Sequence, residues 1–297
     1  MSDAARPLRL VSWNIEDLTR HLPRQPTARR GRTWPSLQRI VEHFEHPDIL
    51  CLQEIRVRPG DADLLEAMTK ALDGYALAYS LCDDPRNATF RGGRMYGVAT
   101  WVRRELDPAA EPPVVWDREG RVSVTTLARE RLAVVNVYAV NRTSKPYWDH
   151  ELGHFRGDRH ELKRRFHELI VELGRGLSAR GLDLVLVGDW NISRGPLDTF
   201  PRLRTEEPHA LARKLFNDKL IVDLDVVDVF RHLHPERRAY TWHNRRAPPG
   251  TLDAARVDFA LVSQTLLDRV IDADILDALE HRFGSDHAPL SLSLRRR

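Results

Sequence analysis

Nine short apolar runs, set too close together for one ordinary parallel sheet, constrain this chain more than any other feature. They lie at Leu8 to Trp13, Asp48 to Leu52, Tyr75 to Leu81, Gly97 to Val102, Val122 to Leu127, Leu132 to Val140, Leu182 to Val187, Val257 to Val262 and Leu290 to Leu294. Their length and β-branched content predict strands. Helical patterns stand between them at Trp34 to His46, Asp61 to Leu72, Asp158 to Ala179 and Pro208 to Leu220, with Asp61 and Asp158 as N-caps. Several strands follow one another closely enough to be hairpins. Two packed sheets, mixed but mostly antiparallel and flanked by helices, fit this alternation: an α/β sandwich. No linker divides the chain, because the Pro-rich stretch Asp107 to Pro113 and the turn "RAPPG" at Arg246 to Gly250 are too short to separate domains. The last strand is needed to finish a core begun by the first, so a single domain over 1–297 is expected.

With 297 residues and 42% hydrophobic content the chain can bury a full core. No apolar run approaches the roughly 20 residues of a membrane span, and the start "MSDAARPLRL" has no hydrophobic signal region. These features predict a soluble, cytoplasmic protein. Two cysteines make neither a disulfide framework nor a zinc site, and Cys51, inside an apolar run, is expected as a small core residue. The net charge of +3 permits a phosphate-bearing partner without demanding one. Its distribution says more: "RHLPRQPTARRGR", Arg20 to Arg32, carries five arginines and no acid. Such a run is either a solvated loop or a phosphate-binding one.

The strand ends carry the chemistry. The run Leu182 to Val187 closes on Gly188-Asp189-Trp190-Asn191, and residues two apart on a strand share a face, so Asp189 and Asn191 are predicted to point at one spot. The first strand ends on "VSWNIED" with Asn14, the second on "DILCLQE" with Glu54, and another runs into "NVYAVN" with Tyr138 and Asn141. "ARVDF" holds Asp258, and "GSDHAPL" sets Asp286 and His287 just before the closing strand. Met singly, each has a plain explanation: a core tyrosine, turn-forming asparagines, a surface histidine. Jointly they deliver amides, carboxylates, a phenol and an imidazole to one rim. Buried carboxylates are costly unless paired or metal-bound, so so many together imply a cation. Oxygen ligands without cysteine point to Mg²⁺ or Mn²⁺ rather than zinc. A carboxylate-held histidine, a second carboxylate for the proton of attacking water, and amide and phenol donors suit phosphoester hydrolysis.

The set "SWNIEDL", "DILCLQE", "YAVN", "GDWNIS", "RVDF" and "SDHAPL", in that order, resembles the endonuclease/exonuclease/phosphatase superfamily, and "DVFRHLHPERRAYTW", Asp228 to Trp242, resembles its exonuclease III type of apurinic/apyrimidinic endonuclease. The resemblance runs from about Leu8 to Leu294. It implies a four-layered, DNase I-like α/β sandwich. It also implies Glu54 as the main metal ligand, supported by Asn14 and Asp286. Asp258 would orient and charge His287, which contacts the scissile phosphate, while Tyr138 and Asn191 bind phosphate oxygens. Asp189 would activate water or assist the leaving group. Asn141 matches a position near the same phosphate, and Trp242 the wall of a pocket for a flipped-out abasic sugar.

Departures bear on substrate. Ala255 stands where the family often has a bulky apolar residue, which predicts a wider pocket, and Ile55 replaces a frequent threonine. Two extra stretches intervene, Thr19 to Thr33 and "CDDPRNATFRGGR" at Cys82 to Arg94, and the segment "NRTSKPYWDHELGHFRGDRH" mixes cations with aromatics. Arg30, Arg94 and Arg142 from these three segments are candidate substrate-binding residues. The reading is an Mg²⁺-dependent, monomeric hydrolase of duplex DNA, cutting at abasic sites or trimming 3′ ends. The rival is a phosphodiesterase or phosphatase of the same superfamily acting on a small-molecule, lipid or RNA phosphoester. A DNA-binding module without catalysis would need lost metal or water-activating residues, and all are present.

Overall fold

Successive residues of a strand face opposite ways, and that alternation assigns each core here. The computed structural model describes residues 6–22, 34–56, 62–84, 86, 96–141, 146–150 and 152–297. One sheet contains β1 (Leu8–Asn14), β2 (Ile49–Gln53), β3 (Tyr75–Leu81), β4 (Gly97–Arg103), β16 (Val270–Ile275) and β17 (Leu290–Leu294), in the order β16-β17-β1-β2-β4-β3. The other contains β5 (Pro108–Ala110), β6 (Val122–Leu127), β7 (Leu132–Tyr138), β10 (Asp183–Asp189), β12 (Val226–Asp228) and β15 (Asp258–Ser263), in the order β12-β15-β10-β7-β6-β5. Each sheet has one parallel pair, β1 with β2 and β7 with β10, and is otherwise antiparallel.

Leu184 and Leu186 of β10 pack with Phe166 and Ile170 of α3 (Arg159–Ala179), whereas Val185 and Val187 face Leu10, Ile49 and Val102 of the other sheet. A third core joins Trp13, Leu50 and Leu52 to Ile40 of α1 (Leu37–His43) and Met68 of α2 (Ala62–Lys70). The layers therefore run helix, sheet, sheet, helix, the expected four-layered sandwich. Cys51 is buried between the sheets, where desolvation pushes its thiol up to about 12, so it is core and not a nucleophile.

Helix boundaries moved where capping chemistry outranked periodicity. α1 starts at Leu37 rather than Trp34 because Ser36 accepts from the Arg39 N–H at 3.3 Å. Asp158 caps α3 as expected, accepting from the His160 and Glu161 N–H groups at 2.9 and 3.0 Å. The cap expected at Asp61 lies outside the described residues. α4 (Glu207–Leu215) continues into a π-helical turn, Phe216–Ile221. Edge strands such as β16 went unread because their alternating polar residues face water. Small elements escaped as well: a hairpin of β8 (Tyr147–Asp149) with β9 (His154–Arg156), and a three-stranded sheet ordered β11 (Thr199–Phe200), β14 (Ala254–Ala255), β13 (Trp242–His243). Among the described residues no helix is long and apolar enough to cross a membrane.

One polar cluster interrupts the apolar interface between the sheets. Gln53 of β2 donates to Asn136 Oδ1 of β7 at 2.8 Å and to Ser12 Oγ at 3.0 Å. Asn136 donates in turn to Ala99 O, Thr100 Oγ1 and Leu52 O at 3.0–3.2 Å. A slip between the sheets would strand these buried groups, so the cluster fixes their relative register.

Candidate active site

Strand pairing alone brings three of the predicted residues side by side. Asp189, the last residue of β10, pairs with Tyr138 of parallel β7 on one flank and with Asp258 of antiparallel β15 on the other. The first sheet supplies the facing edge, where β1 ends on Asn14 and β2 on Gln53, a matched pair followed directly by Glu54. Left-handed backbone at Glu16, Glu54, Arg56 and Asn191, with φ of 65°, 58°, 45° and 51°, turns the chain sharply at these ends. Asparagine tolerates that conformation readily and glutamate does not, so Glu54 is held there by its surroundings. Gly188 is obligatory for another reason: a Cβ there would lie 1.9 Å from the Val137 carbonyl oxygen.

The polar side chains form one connected network. The buried Asn14 amide donates to Glu54 Oε2 at 3.2 Å and to Asp189 Oδ2 at 3.0 Å, linking the two carboxylates. Its oxygen accepts from the Glu16 N–H at 3.0 Å. Tyr138 donates its hydroxyl to Glu54 Oε2 at 3.1 Å, and Arg56 donates through Nε to Glu54 Oε1 at 2.9 Å. His287 Nδ1 lies 2.8 Å from Asp258 Oδ2, and its Nε2 lies 3.9 Å from Asp189 Oδ2. The loop bearing His287 is tied to β1 through Trp13 Nε1 to His287 O at 3.1 Å and Ser285 Oγ to Asn14 O at 2.7 Å. Asp286 accepts from Trp242 Nε1 at 3.2 Å.

Burial and neighbouring charge set the protonation states. Burial, then the Asp258 carboxylate, push the Asp189 carboxyl up to about 7 against the pull of His287, the Asn191 N–H and the Asn14 amide. For His287 burial alone would lower the imidazole, but the carboxylates of Asp258, Asp189 and Asp286 outweigh it and raise it to about 10. Burial and the Glu54 charge lift Tyr138 well above its ordinary value, so it remains a phenol donor.

Glu54, Tyr138, Asn141, Asp189, Asn191, Trp242, Asp286 and His287 all line one cleft of about 760 Å³, and Asp258 stands behind His287. Asn191 plays a double part: its N–H donates to Asp189 Oδ1 at 2.8 Å and its amide to the Ala139 carbonyl at 3.0 Å, so the turn is itself part of the site. Arg30, Arg94 and Arg142 lie outside the described residues. The residues present suit a hard divalent cation. Asp189, Asp258 and His287 offer ligand atoms within 4.8 Å of one another, Asp258 Oδ1 is buried with no hydrogen-bond partner among the described residues, and Glu54 is joined to this group through Asn14. An imidazole charged by Asp258 is a poor ligand, which leaves the Glu54 and Asp286 carboxylates of the cleft as the better donors.

Three contributors escaped the sequence reading. Lys163 is fully buried on α3 and donates to the Trp190 and Asn191 carbonyls at 2.9 and 2.8 Å, anchoring the turn that carries Asn191. A signal existed, since Lys163, Phe166 and Ile170 fall on one helical stripe and a lysine in an apolar stripe needs a partner. Arg121 is buried beneath Tyr138, donating to its carbonyl at 3.0 Å and to Glu119 at 2.6 Å, with its guanidinium 5.0 Å from the Tyr138 ring. Arg56 bridges Glu54 and Glu16. Neither arginine has a local pattern to betray it.

A model of the endonuclease/exonuclease/phosphatase family matches residues 11–287. The chain is 27% identical over 288 residues to Recombination repair protein 1 of Drosophila melanogaster, a match covering 96% of this chain but only 37% of that longer protein. It is 25% identical over 295 residues to an exodeoxyribonuclease of Bacillus subtilis, covering 96% of this chain and 98% of that one. The crystal structure of the AP endonuclease LMAP from Leishmania major superposes with a TM-score of 0.75 at 23% identity, covering 99% of this chain and 90% of that one, a likeness of fold.

Proposed function

The chain belongs to the endonuclease/exonuclease/phosphatase family, and from that premise we propose that it is a divalent-metal-dependent phosphodiester hydrolase of DNA, incising 5′ to abasic sites or trimming 3′ ends. Mg²⁺ is the proposed ion, with Mn²⁺ able to replace it. Glu54 would hold it, with Asp286 and the Asn14 amide in support, and the bound ion would offset negative charge developing on the phosphate.

The chain's own residues supply the rest. Asp189, with a carboxyl near 7, is matched to accepting a proton from water at neutral pH or passing one to the leaving oxygen. His287, held charged by Asp258, presents Nε2 to a phosphoryl oxygen. The Tyr138 phenol and the Asn191 amide add hydrogen-bond donors beside it, preorganised by Arg121 and Lys163. In-line attack of water then leaves a 3′-hydroxyl and a 5′-phosphate. The observation that carries this reading is the coupling of three groups in one cleft: Asp189 reaches Glu54 through Asn14 and stands 3.9 Å from His287.

Duplex DNA is the proposed partner and the monomer the proposed form. The test is cleavage of abasic, nicked and intact duplexes beside bis(p-nitrophenyl) phosphate, with Mg²⁺ present. Cleavage of DNA supports the reading. Turnover of the small diester with no cleavage of any DNA rejects it in favour of a small-molecule phosphoesterase.

A further inference from the structure

The cleft is larger than one phosphodiester requires. Beside Glu54, Tyr138, Asp189 and His287 it is lined by a wall of Phe200, Arg202 and Arg204, on β11 and the chain that follows it. A volume of about 760 Å³ suits a nucleotide-sized group rather than a bare phosphate.

This wall is held rigidly by arginines that are themselves consumed in holding it. Asp198, at the foot of β11, accepts from Arg231 Nη2 and Arg256 Nε, both at 2.8 Å. The Arg256 N–H donates to the Asp198 carbonyl at 2.7 Å, and Arg213 donates to the Ser193 and Arg204 carbonyls at 2.9 and 2.7 Å. Arg202 and Arg204 differ. Both are exposed, and among the described residues neither guanidinium has a hydrogen-bond or ion-pair partner. Both act on the Glu206 carboxylate of the same cleft through charge alone. Two exposed guanidiniums on an anchored backbone, lining a cleft that ends in phosphate chemistry, are suited to a second phosphate. Phe200 stands next to them, 41% exposed, a large aromatic surface that packing leaves uncovered. Base faces stack on such surfaces whatever the sequence.

We infer that Phe200, Arg202 and Arg204 form a nucleotide subsite for the residue adjoining the scissile phosphate, its base stacked on Phe200 and its phosphate held by the two guanidiniums. The inference rests on the reading of this chain as a polynucleotide hydrolase and adds that its substrate is gripped at two consecutive phosphates. A mononucleotide ester would use only the catalytic part of the cleft.

Binding tests it separately from hydrolysis. Affinity of a fluorescein-labelled single-stranded oligonucleotide is measured by anisotropy in chelator, across a salt series, so that no cleavage intervenes. Replacing both arginines (R202Q/R204Q) is expected to weaken binding at least tenfold and to flatten the log–log salt slope by about 0.7, the value for the one phosphate contact the pair makes on a single strand. Phe200→Ala should weaken binding about tenfold while leaving the slope as in wild type, because stacking releases no counterion. Circular dichroism confirms that each variant is folded. Unchanged affinity and slope in R202Q/R204Q, or failure of the wild-type protein to bind the oligonucleotide, overturns the subsite. The DNA-hydrolysis reading fails on a different result, the absence of cleavage products from any DNA with Mg²⁺ present.

Discussion

Gln53 donates to Asn136 across the interface between the two sheets at 2.8 Å, one residue before Glu54 and two before Tyr138. The contact lies where the sheets must agree for those two side chains to meet at 3.1 Å. Asn136→Leu leaves the Gln53 amide and the Thr100 hydroxyl short of a buried partner, at about 1–3 kcal/mol for each such group. The melting temperature should fall by roughly 2–4 °C per kcal/mol lost, and kcat should fall more than tenfold in protein that remains folded. Calorimetry beside kinetics checks both. A lower melting temperature with unchanged kcat would show that the cluster serves stability alone.

Removing the charge of Glu54 addresses the metal. Glu54→Gln should abolish hydrolysis and leave unfolding cooperative, since the proposed ion requires that charge while the amide oxygen can still accept on one side, from Arg56 or from Asn14 and Tyr138. Chelation should do the same to the wild-type protein, with recovery on adding Mg²⁺. Full activity in chelator-treated protein would refute the assignment.

Asp258 and His287 should behave as one unit. Asp258→Ala frees the imidazole and lets its charge go, so the single losses should nearly equal the loss in the double variant. Each is expected to cost about 10²- to 10⁴-fold in kcat. A double variant that loses the product of the two single losses would show that the residues act separately.

The same pair predicts how stability follows pH in chelator-treated protein. The folded pKa of His287 is raised to about 10, above the ordinary value near 6.5. The folded chain therefore holds a proton that the unfolded chain releases, and the stabilisation is complete below about pH 6.5 and lost as pH rises toward 10. Thermal melts from pH 6 to 10 should show the gap between wild type and His287→Gln narrowing as pH rises. A gap that widens would mean the imidazole is buried neutral.

The parts legible in the sequence share a physical cause. β1, β2, β7 and β10 are buried on both faces, so their runs are mostly apolar, interrupted by Arg9 and Ser12 in β1 and Asn136 in β7, and the polar residues at the end of each run stand out against it. That contrast made Asn14, Glu54, Tyr138 and Asp189 visible, and pairing of β10 with its neighbours then placed two of the expected partners beside Asp189. Residues that support the site from below were not legible. Arg121 and Arg56 look like surface arginines until the fold buries one beneath Tyr138 and sets the other against Glu54. The β11-β14-β13 wall was equally hidden, because strands of two residues have no periodicity to read.

Ala255 of that wall offers a test of specificity. The register sets it directly between Thr199 and Trp242, so a methyl group stands where a larger side chain would reach toward Trp242 on the same face. Both Ala255 and Trp242 line the cleft, and the small residue leaves a hollow beside the indole. A nucleotide that keeps its base needs that space, whereas an abasic sugar does not. Wild-type protein should accordingly degrade undamaged 3′ ends at an appreciable rate beside any abasic cleavage. Ala255→Trp should fill the hollow, lowering kcat/KM on undamaged ends about tenfold or more while abasic incision falls less. The ratio of the two activities, measured on duplexes that differ in one base, is the readout. If the tryptophan variant lowers both activities equally, the hollow does not read the base, and discrimination must lie elsewhere in the cleft.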